Sequence, residues 1–250
     1  MSTRLQHGSE NSRRPHAVVA PDRGRPVRLI PASAIDALRE RIDPGLSGVL
    51  QRSAEIGFLG GMPIPEQIDH ALGFAAVAED ILGGMPTSMI DLGTGGGVPG
   101  MVLACCWPES RVVLMDGSER RTEFLIESLR QIAVGRGAEV VLGRAEELGH
   151  RPDLREGFQV VTSRSFGAPP VTAECGSAFL EDGGILVVSE PPGSADEERW
   201  PSVGVARCSL VPDGRAEVEG RFGYQVLRKA GSLDARFPRR VGIPAKRPLF

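Results

Sequence analysis

Residues 89–100 read Met-Ile-Asp-Leu-Gly-Thr-Gly-Gly-Gly-Val-Pro-Gly, with four glycines in the five positions 93–97. An apolar run precedes this stretch and a helix-forming run follows it. Only a strand that turns sharply into a helix uses backbone of this kind, because glycine adopts positive φ and lets a ligand approach where a Cβ would block it. At the carboxyl end of the first strand of an open α/β sheet, such a turn is where ligands bind.

The rest of the chain supplies that sheet. Apolar runs recur at 89–92, 112–115, 139–142, 159–162 and 185–189. Helical stretches at 100–107, 119–134, just after Ala145, and 171–180 separate them. Strands alternating with crossover helices predict a mostly parallel, twisted sheet covered on both faces, an α/β Rossmann-like fold. Runs at 203–211 and 217–228, joined by Pro212-Asp213-Gly214, predict a C-terminal antiparallel hairpin. Ahead of the sheet, helical spacing at Ile35, Leu38 and Ile42, a second helix over 46–56, and a third opening at Pro65 and ending at Gly83-Gly84 predict a helical cap. Residues 1–28 carry few large apolar groups and read as a disordered basic leader. The expected division is leader 1–28, cap 29–84 and α/β domain 85–250.

Charge is uneven. Residues 1–30 hold six Arg against Glu10 and Asp22, and residues 228–250 hold seven cations against Asp234, in a chain whose net charge is −3. Basic ends around an acidic body suit contacts to nucleic-acid phosphates. No apolar run reaches the ~18 residues of a membrane span, and the polar, Arg-bearing N-terminus excludes a signal peptide. Four cysteines without CxxC spacing read as buried thiols rather than a disulfide frame or a zinc site. These features predict a cytoplasmic protein with no metal and no membrane partner.

Two ligand classes fit the glycine loop. Gly95-Gly96-Gly97-Val98-Pro99-Gly100 matches the G-x-G-x-x-G dinucleotide pattern in one register, which would suit an NAD-linked oxidoreductase. Against that register, Asp91 places negative charge beside the turn, unfavourable near a pyrophosphate and favourable near the sulfonium and ammonium of S-adenosylmethionine. Pro99 and Gly100 also read as the start of the helix. The second strand ends in Asp116, placed to accept two ribose hydroxyls of either ligand.

Asp91-Leu92-Gly93-Thr94-Gly95-Gly96-Gly97-Val98-Pro99-Gly100 resembles the D-L-G-(S/T)-G-x-G-(L/V)-P-G signature of the bacterial 16S ribosomal RNA guanine-N7 methyltransferase family, methyltransferase G. Residues 114–125, with Arg120-Arg121 before Phe124-Leu125, resemble its second motif. Gly143-Arg144-Ala145-Glu146-Glu147 resembles its R-A-E-E loop, and Thr162-Ser163-Arg164 its (T/S)-x-R. Residues 237–249 are similar to its closing P-R-x-x-G-x-P-x-K-x-P-L, and His70 to a histidine of its cap. The resemblance implies a class I methyltransferase using S-adenosylmethionine on 16S ribosomal RNA or a precursor of the small subunit. It implies that Asp91, Gly93, Thr94, Gly95, Val98, Asp116, Ala145, Glu146 and Arg164 line the cofactor. It also implies that Arg239, Arg240, Lys246 and Arg247 meet RNA.

Guanine N7 carries a free lone pair, so methyl transfer to it needs no general base. No catalytic residue is therefore assigned beyond an orienting role for Arg164, and His70 reads as a packed helix residue. The chain departs from the family on the acceptor side. Glu190 stands where the family has Lys, and residues 165–170 read Ser-Phe-Gly-Ala-Pro-Pro in place of a run of small residues. A divergent methyltransferase acting on another acceptor is the alternative these changes allow.

Overall fold

Five strands run parallel, and the inner ones are buried on both faces, which is why the sequence shows apolar runs there rather than alternation, while Ala138–Leu142 on the edge is half-exposed. They are β2 (Ser88–Leu92), β3 (Arg111–Asp116), β4 (Ala138–Leu142), β5 (Phe158–Ser163) and β6 (Leu180–Glu190). In the computed structural model, which describes residues 27–132, 134, 135, 137–193 and 196–250, they belong to one eight-stranded sheet. The remaining strands are β1 (Arg28–Ile30), β7 (Leu210–Val218) and β8 (Phe222–Lys229), and the order is β1-β7-β8-β6-β5-β2-β3-β4. β8 runs antiparallel to both β6 and β7, while β1 pairs parallel with β7 at the edge.

The cap consists of α1 (Ala32–Arg39), α2 (Leu46–Glu55) and α3 (Ile64–Leu82), and α3 ends on Gly83 in the left-handed region. With α4 (Gly100–Cys106), these helices cover one face of the sheet. Leu72, Phe74 and Trp107 meet Met89, Leu114, Val160 and Val187 in a single core. The Tyr224 hydroxyl, buried on β8, donates to the His70 carbonyl at 2.6 Å and ties α3 to the sheet. The opposite face packs Ile90, Val113, Val161 and Leu186 against Phe179, Trp200 and Val205. Crossovers there use α6 (Ala145–Leu148), α7 (Pro169–Ser177), α8 (Asp196–Arg199) and α9 (Ser202–Ala206). The helix α5 (Glu119–Leu129) links β3 to β4, and α10 (Ile243–Lys246) lies near the C-terminus. All four cysteines are buried and free. Among the described residues no helix is long and apolar enough to cross a membrane.

Three expectations are corrected. Residues 1–26 of the expected leader lie outside the described residues, but Arg28 opens β1 on the sheet edge. The hairpin turns at Glu219-Gly220, not at Asp213-Gly214. Glu219 (φ 50°) and Gly220 (φ 66°) take the paired positive dihedrals of a tight hairpin turn, whereas Asp213-Gly214 sits at a register shift inside β7. Residues 203–206, expected at the start of a strand over 203–211, lie instead in α9.

Candidate active site

From β2 the chain moves to β3 and β4 on one side and to β5 and β6 on the other. β2 is therefore the switch point of the sheet, and the crevice opens above the carboxyl ends of β2, β3, β4 and β5. Two adjoining lobes share Gly93, Arg121 and Ser165. The larger, about 550 Å³, is bounded by Asp116, Ala145, Glu146 and Phe166, with Gly242 and Ala245 on its rim. The smaller, about 270 Å³, lies between loop residues 93–98, the cap residues Phe58, Leu59 and Gln67, and Arg164.

The loop is held from beneath. Asp91 is fully buried; Oδ1 accepts from the Thr162 hydroxyl at 2.8 Å and Oδ2 from the Gly100 N–H at 2.9 Å. Burial pushes its carboxyl up to about 6 against the pull of these donors. Gly100 leaves no room for a side chain: a Cβ would come within 2.7 Å of Thr94 Oγ1 and 2.9 Å of Asp91 Oδ2. Asp91, expected to face a cationic ligand, thus works under the loop and borders neither lobe. The same geometry disfavours a pyrophosphate, because the N–H groups of Gly100 and Met101 at the start of α4 are spent on Asp91 and the Gly97 carbonyl.

Gly93 borders both lobes at φ 62°, and a Cβ there would meet Phe166 at 2.9 Å. The Thr94 N–H donates to the Met115 carbonyl, and the Gly95 N–H donates to Asp116 Oδ2 at 2.9 Å. Asp116 Oδ1 accepts from the Ser118 N–H at 2.8 Å, and Arg121 stands 3.8 Å from Oδ2. Each oxygen can accept a further hydrogen bond from the crevice. Val98 borders the smaller lobe and Ala145 the larger. Glu146 Oε1 accepts from the Gly242 N–H at 3.0 Å, so it couples α6 to the C-terminal segment as well as bordering the larger lobe. Arg164 borders the smaller lobe with its buried Nη1 lacking a hydrogen-bond partner. Burial lowers its pKa, opposed by Tyr224 and Asp91. A buried guanidinium nitrogen without an acceptor is suited to an anionic ligand, with which its hydrogen bonds are strongest.

The four C-terminal cations part company. Arg239 does not face outward: its guanidinium clamps the fully buried Glu174 at 2.6 Å and 2.9 Å, its N–H donates to the same carboxylate at 2.8 Å, and Nη2 also donates to the Arg247 carbonyl. Arg240, Lys246 and Arg247 are exposed beside the rim. Glu190, expected as an acid in the acceptor cleft, is instead buried, 2.8 Å from Arg199 Nε and accepting from Trp200 Nε1 at 3.0 Å. His70 is packed among Phe74, Phe222 and Tyr224, with Nε2 3.0 Å from Ser189 Oγ. Burial and then Arg164 push its pKa down to about 3. Phe58, Leu59, Gln67, Arg121, Phe166, Gly242 and Ala245 were not anticipated as crevice residues. Arg121, Phe166, Gly242 and Ala245 lie inside stretches already singled out, whereas Phe58, Leu59 and Gln67 left no signal.

Residues 54–199 match the family described as rRNA small subunit methyltransferase G. The ribosomal RNA small subunit methyltransferase G of Pelotomaculum thermopropionicum is 34% identical over 172 residues, covering 65% of this chain and 70% of that protein. Its counterpart in Symbiobacterium thermophilum is 32% identical over 197 residues, covering 75% and 78%. Among solved structures, the O-methyltransferase TomG of Streptomyces achromogenes, in complex with S-adenosylmethionine, superposes with a TM-score of 0.55 at 17% identity, covering 81% of this chain and 97% of that one. A branched-chain polyamine synthase mutein from Thermus thermophilus superposes at 0.53 with 13% identity, covering 79% and 69%. The structural likenesses establish the class I methyltransferase fold. With the family match and the relatives, the crevice above β2 belongs to an S-adenosylmethionine-dependent methyltransferase, and the chain is a member of the rRNA small subunit methyltransferase G family.

Proposed function

We propose that this methyltransferase modifies N7 of a guanine in 16S ribosomal RNA, free or within a precursor of the small subunit, and that the two lobes divide the cofactor between them. The cofactor supplies an electrophilic methyl group on a sulfonium. Asp116 would accept the ribose hydroxyls, Ala145 and Phe166 would flank the adenine in the larger lobe, and Glu146 would border the same group while holding Gly242. Gly93, Thr94, Gly95 and Val98 would carry the chain between the lobes, and Arg164 would take the carboxylate. Asp91 would act through the loop it supports.

An sp² nitrogen with its lone pair free needs no proton removed, so the reaction calls for no base, and His70 is packed away with its pKa at about 3. What remains is alignment of N7 with the methyl–sulfur bond, and orientation of this kind is worth roughly 7–11 kcal/mol. Arg240, Lys246 and Arg247 stand exposed beside Gly242 and Ala245, where they would meet the phosphates of an RNA entering the crevice.

The observation that carries this reading is the unpartnered Arg164 Nη1 in the smaller lobe. Arg164→Ala should weaken S-adenosylhomocysteine binding by about 10- to 100-fold in calorimetry, the worth of a hydrogen bond to a charged group; unchanged affinity would misplace the site. The acceptor is tested by mapping N7-methylguanosine in ribosomal RNA from cells with and without the gene. An unchanged methylation pattern would remove the 16S reading and leave the fold and the cofactor crevice standing.

A further inference from the structure

Arg164 is not the only incomplete group in the smaller lobe. Gln67, in the first turns of α3, is fully buried and borders the same 270 Å³ space. Its Nε2 donates to the Gly60 and Met62 carbonyls, each at 3.2 Å. Two carbonyl partners fix which end of the amide is nitrogen, since an oxygen there would face two acceptors. Oε1 is thereby committed to the other side, where it is buried and has no hydrogen-bond partner. The large majority of buried side-chain amide oxygens are satisfied, and one left open beside a cavity points to a donor that arrives with a ligand.

The lobe therefore presents an unsatisfied cationic donor, Arg164 Nη1, and an unsatisfied neutral acceptor, Gln67 Oε1, together with the Thr94 hydroxyl of the glycine loop, which is also without a partner and can either donate or accept. The pair of Arg164 and Gln67 complements an α-amino acid, whose carboxylate requires the donor and whose ammonium requires the acceptor. A purine edge also offers a donor and an acceptor, but a guanidinium is matched better by a full negative charge than by a neutral carbonyl.

We propose that Gln67 is a cofactor-binding residue whose Oε1 accepts a hydrogen bond from the ammonium of the cofactor's amino-acid end, opposite Arg164. It rests on the cofactor reading above and adds that the cap contributes directly to the site. Through Gly60 and Met62 the same side chain shapes the loop that carries Phe58 and Leu59 into the lobe.

The test is calorimetry of the full-length protein with S-adenosylhomocysteine and with 5′-methylthioadenosine, which lacks the amino-acid group. Gln67→Met keeps the length of the side chain and removes its polar atoms. It should lower affinity for S-adenosylhomocysteine by about tenfold to thirtyfold, the scale of a hydrogen bond to a charged group, and leave 5′-methylthioadenosine within about twofold. Gln67→Glu, which keeps an acceptor and loses the donors to the loop, should retain most of the S-adenosylhomocysteine affinity. Equal weakening of both ligands by Gln67→Met would reduce Gln67 to loop support and overturn the proposal. So would unchanged S-adenosylhomocysteine affinity with a raised KM for RNA, which would assign Gln67 to the acceptor base. A measurement on the unmodified protein stands apart from any folding defect: S-adenosylhomocysteine without its amino group should bind about tenfold more weakly, and equal binding sinks the proposal. If the unmodified protein binds neither nucleoside, the cofactor reading itself fails and this one falls with it.

Discussion

Two irregular segments form the rim of the crevice, and each is held by a fully buried carboxylate on a neighbouring element. The glycine loop is held by Asp91 at the end of β2, and the C-terminal segment by Glu174 on α7. Asp91 accepts its hydrogen bonds from dipoles, the Gly100 N–H and the Thr162 hydroxyl, with the Arg164 charge acting without an ion-pair contact, and burial leaves its carboxyl at about 6. Glu174 is met by a whole guanidinium, and that pairing raises the pKa of Arg239. Both devices fix backbone that carries no regular hydrogen-bond ladder. The loop uses a local support, nine residues from Asp91 to Gly100 along the chain, whereas the latch joins residues 65 apart. The local device is built from glycine and leaves a recognisable motif. The distant one consumes an arginine that looks, in a basic stretch, like a contact for RNA.

The largest consequence falls on the latch. Glu174→Ala would leave Arg239 facing an apolar hole, and removing one partner of a buried pair costs about 3–5 kcal/mol. Arg239 keeps 24% of its side chain exposed, so the lower end applies, a drop in melting temperature of several degrees for a chain of this size. Glu174→Gln, which keeps one acceptor, should lose less. The rim should loosen as well, because Gly242 and Ala245 lie just beyond Arg239, and S-adenosylhomocysteine affinity should fall in step. A Glu174→Ala protein that melts with the wild type would show that the segment is held by its other contacts, such as the His150 ring on the Pro238 carbonyl at 2.7 Å.

The loop support responds to pH instead. A carboxyl raised from 3.8 to about 6 binds its proton more tightly in the folded chain than in the unfolded one. The stability it contributes is complete below about pH 4 and is lost as pH rises through about 6, a change of a few kcal/mol. Asp91→Asn cannot titrate, so the stability of the variant relative to the wild type should improve between pH 4.5 and 8, whatever constant offset the amide introduces. Denaturant melts at the two pH values measure this. A difference that stays flat would mean that Asp91 titrates normally and that the loop is not held by a desolvated acid.

The contrast between local and distant constraints also explains what could be read from residues alone. Runs such as Val112–Leu114 and Val160–Val161 are apolar because both sheet faces are covered, and periodicity reports that directly. Gly93 and Asp116 belong to one turn and one strand end, and each sits in a motif that is spelled out within a few residues. β1 escaped because it is a three-residue strand on the sheet edge, in an arginine-rich stretch, with Leu29 77% exposed. The hairpin was misplaced because Glu219 takes positive φ without belonging to the residue types that favour it, while Asp213-Gly214 has the composition of a turn and serves as a bulge. Gln67 and Phe58 reach the crevice because the cap packs on the rest of the fold through contacts distant in sequence, among them the Tyr224 hydroxyl on the His70 carbonyl, between residues 154 apart. Glu190 could be seen as an acid but not as the partner of Trp200 and Arg199.

The smallest effect separates Arg239 from its neighbours most cleanly. If Arg240 and Lys246 meet phosphates, Arg240→Ala and Lys246→Ala should each weaken RNA binding by a few-fold and reduce the slope of log affinity against log salt by about one, with no change in melting temperature or in S-adenosylhomocysteine affinity. Arg239→Ala should do the reverse, because its charge is already matched by Glu174: a lower melting temperature with the salt slope nearly kept. Filter binding of a 16S fragment across about 50–200 mM salt, with a melt on each variant, gives both readouts. An Arg239→Ala protein that melts normally and loses a unit of salt slope would turn the latch back into an RNA contact. It would also erase the contrast between the two rim segments, since the C-terminal one would no longer be held by a buried carboxylate.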